Sequence, residues 1–162
     1  GAGGLPIAFR DGSNAEARRD MSLSSLFSGL GLANAGLGAV HGFAGPLGGM
    51  VDIPHGVACA ILLGPCMKHN ANAALTSSNS SLLNRFAELA QMLTGRSGGP
   101  IEVIDWAIQI SEEVGIGKLS DYGFAETDIP TLVTKAKNSS SMKGNPVHFS
   151  EDTLTMILKE AM

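Results

Sequence analysis

The chain has 162 residues and a mass of 16.7 kDa, the length of one domain that can bury roughly 68–70% of its unfolded surface without help from a disulfide or a metal. Hydrophobic residues make up 44% and charged residues 16%, which excludes a disordered or solvating tail. A net charge of -4 and a pI near 5.5 leave no basic face for a phosphate backbone, so nucleic acid is not expected as a partner.

The first residues, Gly1-Ala2-Gly3-Gly4, read as an added tail or the cut end of something longer. Ser13-Asn14-Ala15-Glu16 has the spacing of a capping box, with Ser13 as the cap. The helix it opens draws apolar positions from Ala17, Met21, Leu23, Leu26, Phe27, Leu30 and Leu37. Its glycines (Gly29, Gly31, Gly36, Gly38) each cost up to ~1 kcal/mol of helix propensity relative to Ala, so close packing is expected there. No Asp, Glu, Lys or Arg occurs in the 31 residues between Asp20 and Asp52. Serines, Asn34, His41 and frequent glycines make this stretch a tightly packed core helix pair rather than a membrane span.

Glycine and proline break the pattern from Gly42 to Pro54. Pro54-His55-Gly56 then starts an apolar helix from Val57 to Met67, with Pro65 ending or kinking it and His69 at its C-terminal end. A helix through Leu82, Phe86, Leu89, Ala90 and Leu93 stops at Gly95. Pro100 begins the next, with Ile101, Ile104, Ala107, Ile108 and Val114 as its apolar positions. Thr127-Asp128 and Pro130 open a shorter helix that runs out at Asn138, and Ser150 caps a last one with Leu154, Ile157, Leu158 and Ala161 on one side. With no alternating strand pair, hairpin dipeptide or repeat, the reading is an all-α helical bundle forming a single domain over residues 1–162.

Cys59 and Cys66 lie seven residues apart. On a helix that is about 10.5 Å, beyond a disulfide's reach, so both are expected to be free core thiols suited to a reducing, cytoplasmic setting. His41 and His55 are fourteen residues apart, each followed by glycine. On one straight helix they would stand about 21 Å apart. Gly45, Pro46, Gly48, Gly49 and Pro54 can fold the segment back so that the imidazoles converge, with His55 at a helix start that favours the neutral, metal-binding form. The alternative is a pair of buried neutral histidines bonded to backbone. Asp52 and Cys59 are the third donors within reach, at the expense of distorting the helix start at His55. His148 reads as an exposed turn residue. No dinucleotide fingerprint, Walker sequence, Gly-x-Ser-x-Gly or Cys-x-x-Cys is present.

The stretch from Gly36 to Gly56 resembles the C-terminal helical domain of the iron-containing alcohol dehydrogenase family. Ala15-Glu16-Ala17-Arg18 with Met21, the small-residue helix through Gly36-Leu37-Gly38, the two histidines at their spacing, and Asn145-Pro146 before the last helix fall in the family's order. The resemblance implies a dehydroquinate-synthase-like fold in which this chain is the helical domain, and a divalent metal (iron, or zinc) held by one Asp and three His. His41 and His55 correspond to the last two of these ligands. The Asp-x-x-x-His helix that carries the first two, and the NAD(P)-binding domain, are not in this sequence, so it resembles a fragment. Gly45 departs from the family, many members of which place a further histidine there.

The implied reaction is reversible oxidation of a small-molecule alcohol to an aldehyde or ketone. The metal acts as a Lewis acid and hydride passes to NAD or NADP, in a full-length enzyme expected to be a homo-oligomer. Phe43, Pro46 and Leu47 line the substrate side or else pack in the core. The chain alone is expected to be inactive and to bind metal weakly. A glycerol-dehydrogenase-like or maleylacetate-reductase-like parent stays open, as does a non-catalytic helical interaction module.

Overall fold

The structure is a computed structural model and describes residues 2–162. It contains α1 (Gly4–Arg10), α2 (Ala15–Ala35), α3 (Ala39–Leu47), α4 (His55–Thr76), α5 (Ser80–Thr94), α6 (Pro100–Glu113), α7 (Ile129–Lys137) and α8 (Glu151–Glu160), with short 3-10 turns between the later helices and no strand among the described residues. The all-helical expectation therefore holds.

Gly4 starts α1 and is buried where that helix packs on α2. A side chain there would press on Asp20, whose Cβ lies 3.2 Å from where the new Cβ would stand. The cap of α2 is Asn14 rather than Ser13. The Asn14 side chain accepts from the Ala17 amide at 3.0 Å, while Ser13 donates both its amide and its hydroxyl to Asp11. Asp11 wins Ser13 because an Asx turn needs a partner only two residues on.

The expectation of a tightly packed helix pair between Asp20 and Asp52 fails for α2. The chain bends by 102° between α2 and α3, at Gly36, whose φ of +74° favours glycine. Leu37 thus falls outside α2, and the leucines of α2 point away from the core; Leu26 is 59% and Phe27 64% exposed. No single helix among the described residues is long and apolar enough to cross a membrane, though α2 and α3 together pass that test as a bent pair.

The main core lies beneath α3, α4, α7 and α8. Phe43, Leu47, Leu62, Leu119, Leu132, Leu154, Ile157 and Leu158 are all fully or almost fully buried in it. All four apolar positions expected of α8 are buried, and Ser150 caps it by accepting from the Thr153 amide at 3.2 Å. A second cluster joins Ala71 of α4 to Phe86 and Ala90 of α5 and Val103 of α6. It explains why Pro65 does not end α4. Proline forfeits one hydrogen bond, but Ala71 and Ala74 beyond it are buried, and that packing carries the helix on to Thr76.

His69 is consequently mid-helix rather than terminal. It sits 3.2 Å from a Glu160 carboxylate oxygen and edge-on to Phe149. The buried face of α6 is Val103, Ala107 and Ile110, with Ile101 and Ile108 turned outward. The stops at Gly95 and Gly115 stand as read, both at φ +73°, and α7 starts beside Pro130 as expected.

Candidate metal centre

The segment between α3 and α4 is short and self-bonded. The amides of Gly49, Met50 and Val51 donate back to the carbonyls of Pro46 and Leu47, and Ile53 is buried as a plug. That closes a tight reversal, so α3 and α4 pack directly against each other and bring residues fourteen apart in sequence to one place. His41 lies near the start of α3, and His55 is the first residue of α4. Their ring centroids are 5.4 Å apart at an interplanar angle of 51°. Convergence across the Gly/Pro-rich turn, expected from the sequence, is the observed geometry.

A third group joins them. Cys59, one helical turn after His55, places its Sγ 3.5 Å from His55 Nε2 and 3.8 Å from His41 Nε2. One donor atom from each of the three residues lies within 4.8 Å of the others. Cys59 is therefore not simply a core thiol, as its apolar neighbours suggested. Its approach also needs no distortion of the helix start, because α4 is regular from His55 onward. The i, i+4 spacing was the readable signal. Asp52, the other donor considered, is exposed and stands outside the cluster.

Burial, and then the neighbouring His55, push the His41 imidazole below its ordinary pKa, which keeps it neutral with a lone pair to offer. Burial raises the Cys59 thiol and raises Cys66, deep in the core, to about 12. Both cysteines are free, as their spacing required. The donor set fits a divalent metal of borderline softness, since it is all nitrogen and sulfur.

Asn145 is a residue whose positioning role sequence reasoning did not find. Gly38 has no side chain with which to cap α3. Asn145 takes over that task, its Oδ1 accepting from the Ala39 amide at 3.2 Å. The same side chain exchanges hydrogen bonds with Asn70 of α4 and donates to the Val147 carbonyl. It thus fixes α3, which carries His41, against α4, which carries His55 and Cys59. The motif Asn145-Pro146 was visible; its partner 106 residues away in the chain was not.

Phe43 and Leu47 are fully buried and pack in the core, and Pro46 beside them is half-buried. Gly45 is exposed, with open space where a side chain would project. His148 is exposed in the loop before α8, as read from its neighbours. A cavity of ≈ 340 Å³ between α4 and α6, lined by residues including Gly64, Pro65, Ile104 and Ser111, takes in none of the three donor residues.

A family model described as "Fe-containing alcohol dehydrogenase family, C-terminal" matches residues 2–162. The chain is 32% identical over 157 residues to 1,3-propanediol dehydrogenase of Citrobacter freundii, covering 93% of this chain and 38% of that protein. It is 33% identical over 138 residues to lactaldehyde reductase of Escherichia coli (strain K12), covering 81% and 34%. The fold superposes on the crystal structure of a 1,3-propanediol oxidoreductase with a TM-score of 0.90 at 32% identity, over 99% of this chain and 42% of that one. The chain thus spans about two fifths of the length of the proteins it matches.

Proposed function

The chain belongs to the Fe-containing alcohol dehydrogenase family, matching its C-terminal region, and we propose that in such an enzyme His41 and His55 hold the catalytic divalent metal. The observation that carries this reading is the convergence of the two imidazoles, 5.4 Å between centroids, across a turn built to bring them together. Iron is the first choice of metal, and zinc the second. When bound, the metal supplies Lewis acidity to the oxygen of an alcohol or carbonyl substrate.

The remaining work falls to the protein. His41 is kept neutral by burial and by its neighbour, and so is ready to bind without first losing a proton. The tight turn and Asn145 hold the two rings in register, which supplies positioning rather than charge. NAD or NADP binds to the α/β domain that completes the family's enzymes, and the Asp-x-x-x-His helix that precedes this region in them supplies the remaining ligands. The substrate is a small alcohol or its aldehyde. The relatives' names favour short diols and hydroxyaldehydes, the enzyme is a cytoplasmic homo-oligomer, and the two free thiols suit that compartment.

The test has two parts. Calorimetric titration with ferrous iron or zinc is expected to show binding that His41→Ala and His55→Ala each reduce at least tenfold. Joined to the N-terminal region of a family member, the chain is expected to reduce a nicotinamide cofactor with propane-1,3-diol, and either substitution removes that turnover. The 162-residue chain alone shows none. Metal binding indifferent to both histidines would overturn the reading and leave a helical interaction module.

A further inference from the structure

Resting on the reading that His41 and His55 are metal donors, we propose that Cys59 is a third donor. With them it completes a His2Cys site inside this chain for a borderline-soft divalent cation. In the 162-residue chain by itself this set supplies three protein ligands and leaves one position open.

Three observations carry the proposal. The first is distance. With a metal–sulfur bond of about 2.3 Å, a metal–nitrogen bond of about 2.0–2.1 Å and a tetrahedral angle, sulfur and nitrogen stand about 3.6 Å apart. Cys59 Sγ is 3.5 Å from one imidazole Nε2 and 3.8 Å from the other, so sulfur already sits at ligand spacing from both rings. The two imidazole donors lie within 4.8 Å of each other, and His55, which carries one of them, is exposed.

The second observation is the contrast with Cys66, on the same helix. Cys66 is 2% exposed and lies within the main core. Cys59 is half-buried at the edge of that core and faces the two rings. Both pack on the core, but only Cys59 also brings its sulfur to the two rings.

The third is charge. A cation at the start of α4 meets the positive end of the helix dipole, and two neutral imidazoles do nothing to offset it. A thiolate one turn into the helix supplies the missing negative charge. On binding, the Cys59 S–H bond gives way to a sulfur–metal bond and the proton passes to solvent. Thiolate also sets the preference, favouring zinc or cobalt(II) over magnesium, calcium and manganese.

The experiment is anaerobic titration of the full 162-residue chain with cobalt(II), followed by absorption, with circular dichroism to confirm that each variant is folded. Native protein is expected to show the visible d–d bands of a tetrahedral site together with a sulfur-to-cobalt charge-transfer band in the near ultraviolet. Cys59→Ser and Cys59→Ala should both lose the charge-transfer band and bind at least tenfold more weakly, while Cys66→Ser retains both features. Visible bands that depend on His41 and His55 without charge transfer would overturn the thiolate and leave the histidine reading standing. Charge transfer that survives in both Cys59 variants would also overturn it. Cobalt binding unchanged in His41→Ala and His55→Ala would overturn the histidine reading itself.

Discussion

α2 and α3 follow one another across three residues, and α3 and the part of α2 beyond Asp20 lie in the stretch without charged side chains, yet they have opposite fates. α3 buries Ala39, Phe43, Ala44 and Leu47 in its nine residues. α2 buries only Ala17 in twenty-one. The 102° bend at Gly36 separates them. After the bend the chain meets α4, α7 and the Ser141–Gly144 turn; before it, α2 makes substantial contact with α1 alone among the described residues. An exposed ion pair between Arg10 and Glu113 adds a surface link from α1 to α6, worth at most about 1 kcal/mol. Apolar composition by itself is no measure of burial. A leucine stabilises a fold only where the backbone direction gives it something to touch.

The largest expected effect is a direct contrast between the two helices. Phe43→Ala should cost about 3–5 kcal/mol, because the side chain is fully buried in the main core. Phe27→Ala, at 64% exposure, should cost less than about 0.5 kcal/mol. Urea unfolding of the two variants checks this, and equal costs would mean that α2 is as well packed as the body.

Next in size is Asn145→Ala, which strips the cap from α3 and the partner from Asn70. The expected loss is about 1–3 kcal/mol, accompanied by weaker metal binding in the titrations above, while the α2 amides keep their hydrogen-exchange rates. Gly29→Ala and Gly31→Ala sharpen the comparison from the other side. Neither new Cβ meets an atom within 4 Å, so each should gain up to ~1 kcal/mol of helix propensity, slowing exchange of α2 amides about fivefold and leaving α3 unchanged.

The smallest effect is a titration at the corner between α1 and α2. The Ser13 hydroxyl, and then its amide, hold the fully exposed Asp11 carboxyl below its ordinary value of 3.8. What this contributes is present above pH 3.8 and lost as pH falls through the lowered value. In Ser13→Ala, carbon-detected NMR should find Asp11 titrating closer to 3.8, with the Phe43 signals unmoved.

Much of the site was legible in the sequence, and the misses share one cause. Two histidines flanking a Gly/Pro-rich turn announce a possible convergence because glycine and proline license a reversal, whatever surrounds it. Cys59, four residues after His55, was legible as a neighbour on one helix face but not as a group facing His41 on another helix. The continuation of α4 past Pro65 was hidden because the buried residues that sustain it answer to α5 and α6, far along the chain.

The sequence by itself determined the all-helical class, the stops at Gly95 and Gly115, the Ser150 cap and the buried face of α8. These depend on φ preferences, on capping groups within three residues and on periodicity along one helix. Tertiary structure alone decided that α2 turns its leucines outward and that Asn145 caps a helix 106 residues before it. It also decided that a thiol and two imidazoles share one small volume. The physical reason is range. Backbone conformational preferences act over a few residues, whereas burial and long-range hydrogen bonds depend on which surfaces the folded chain brings into contact.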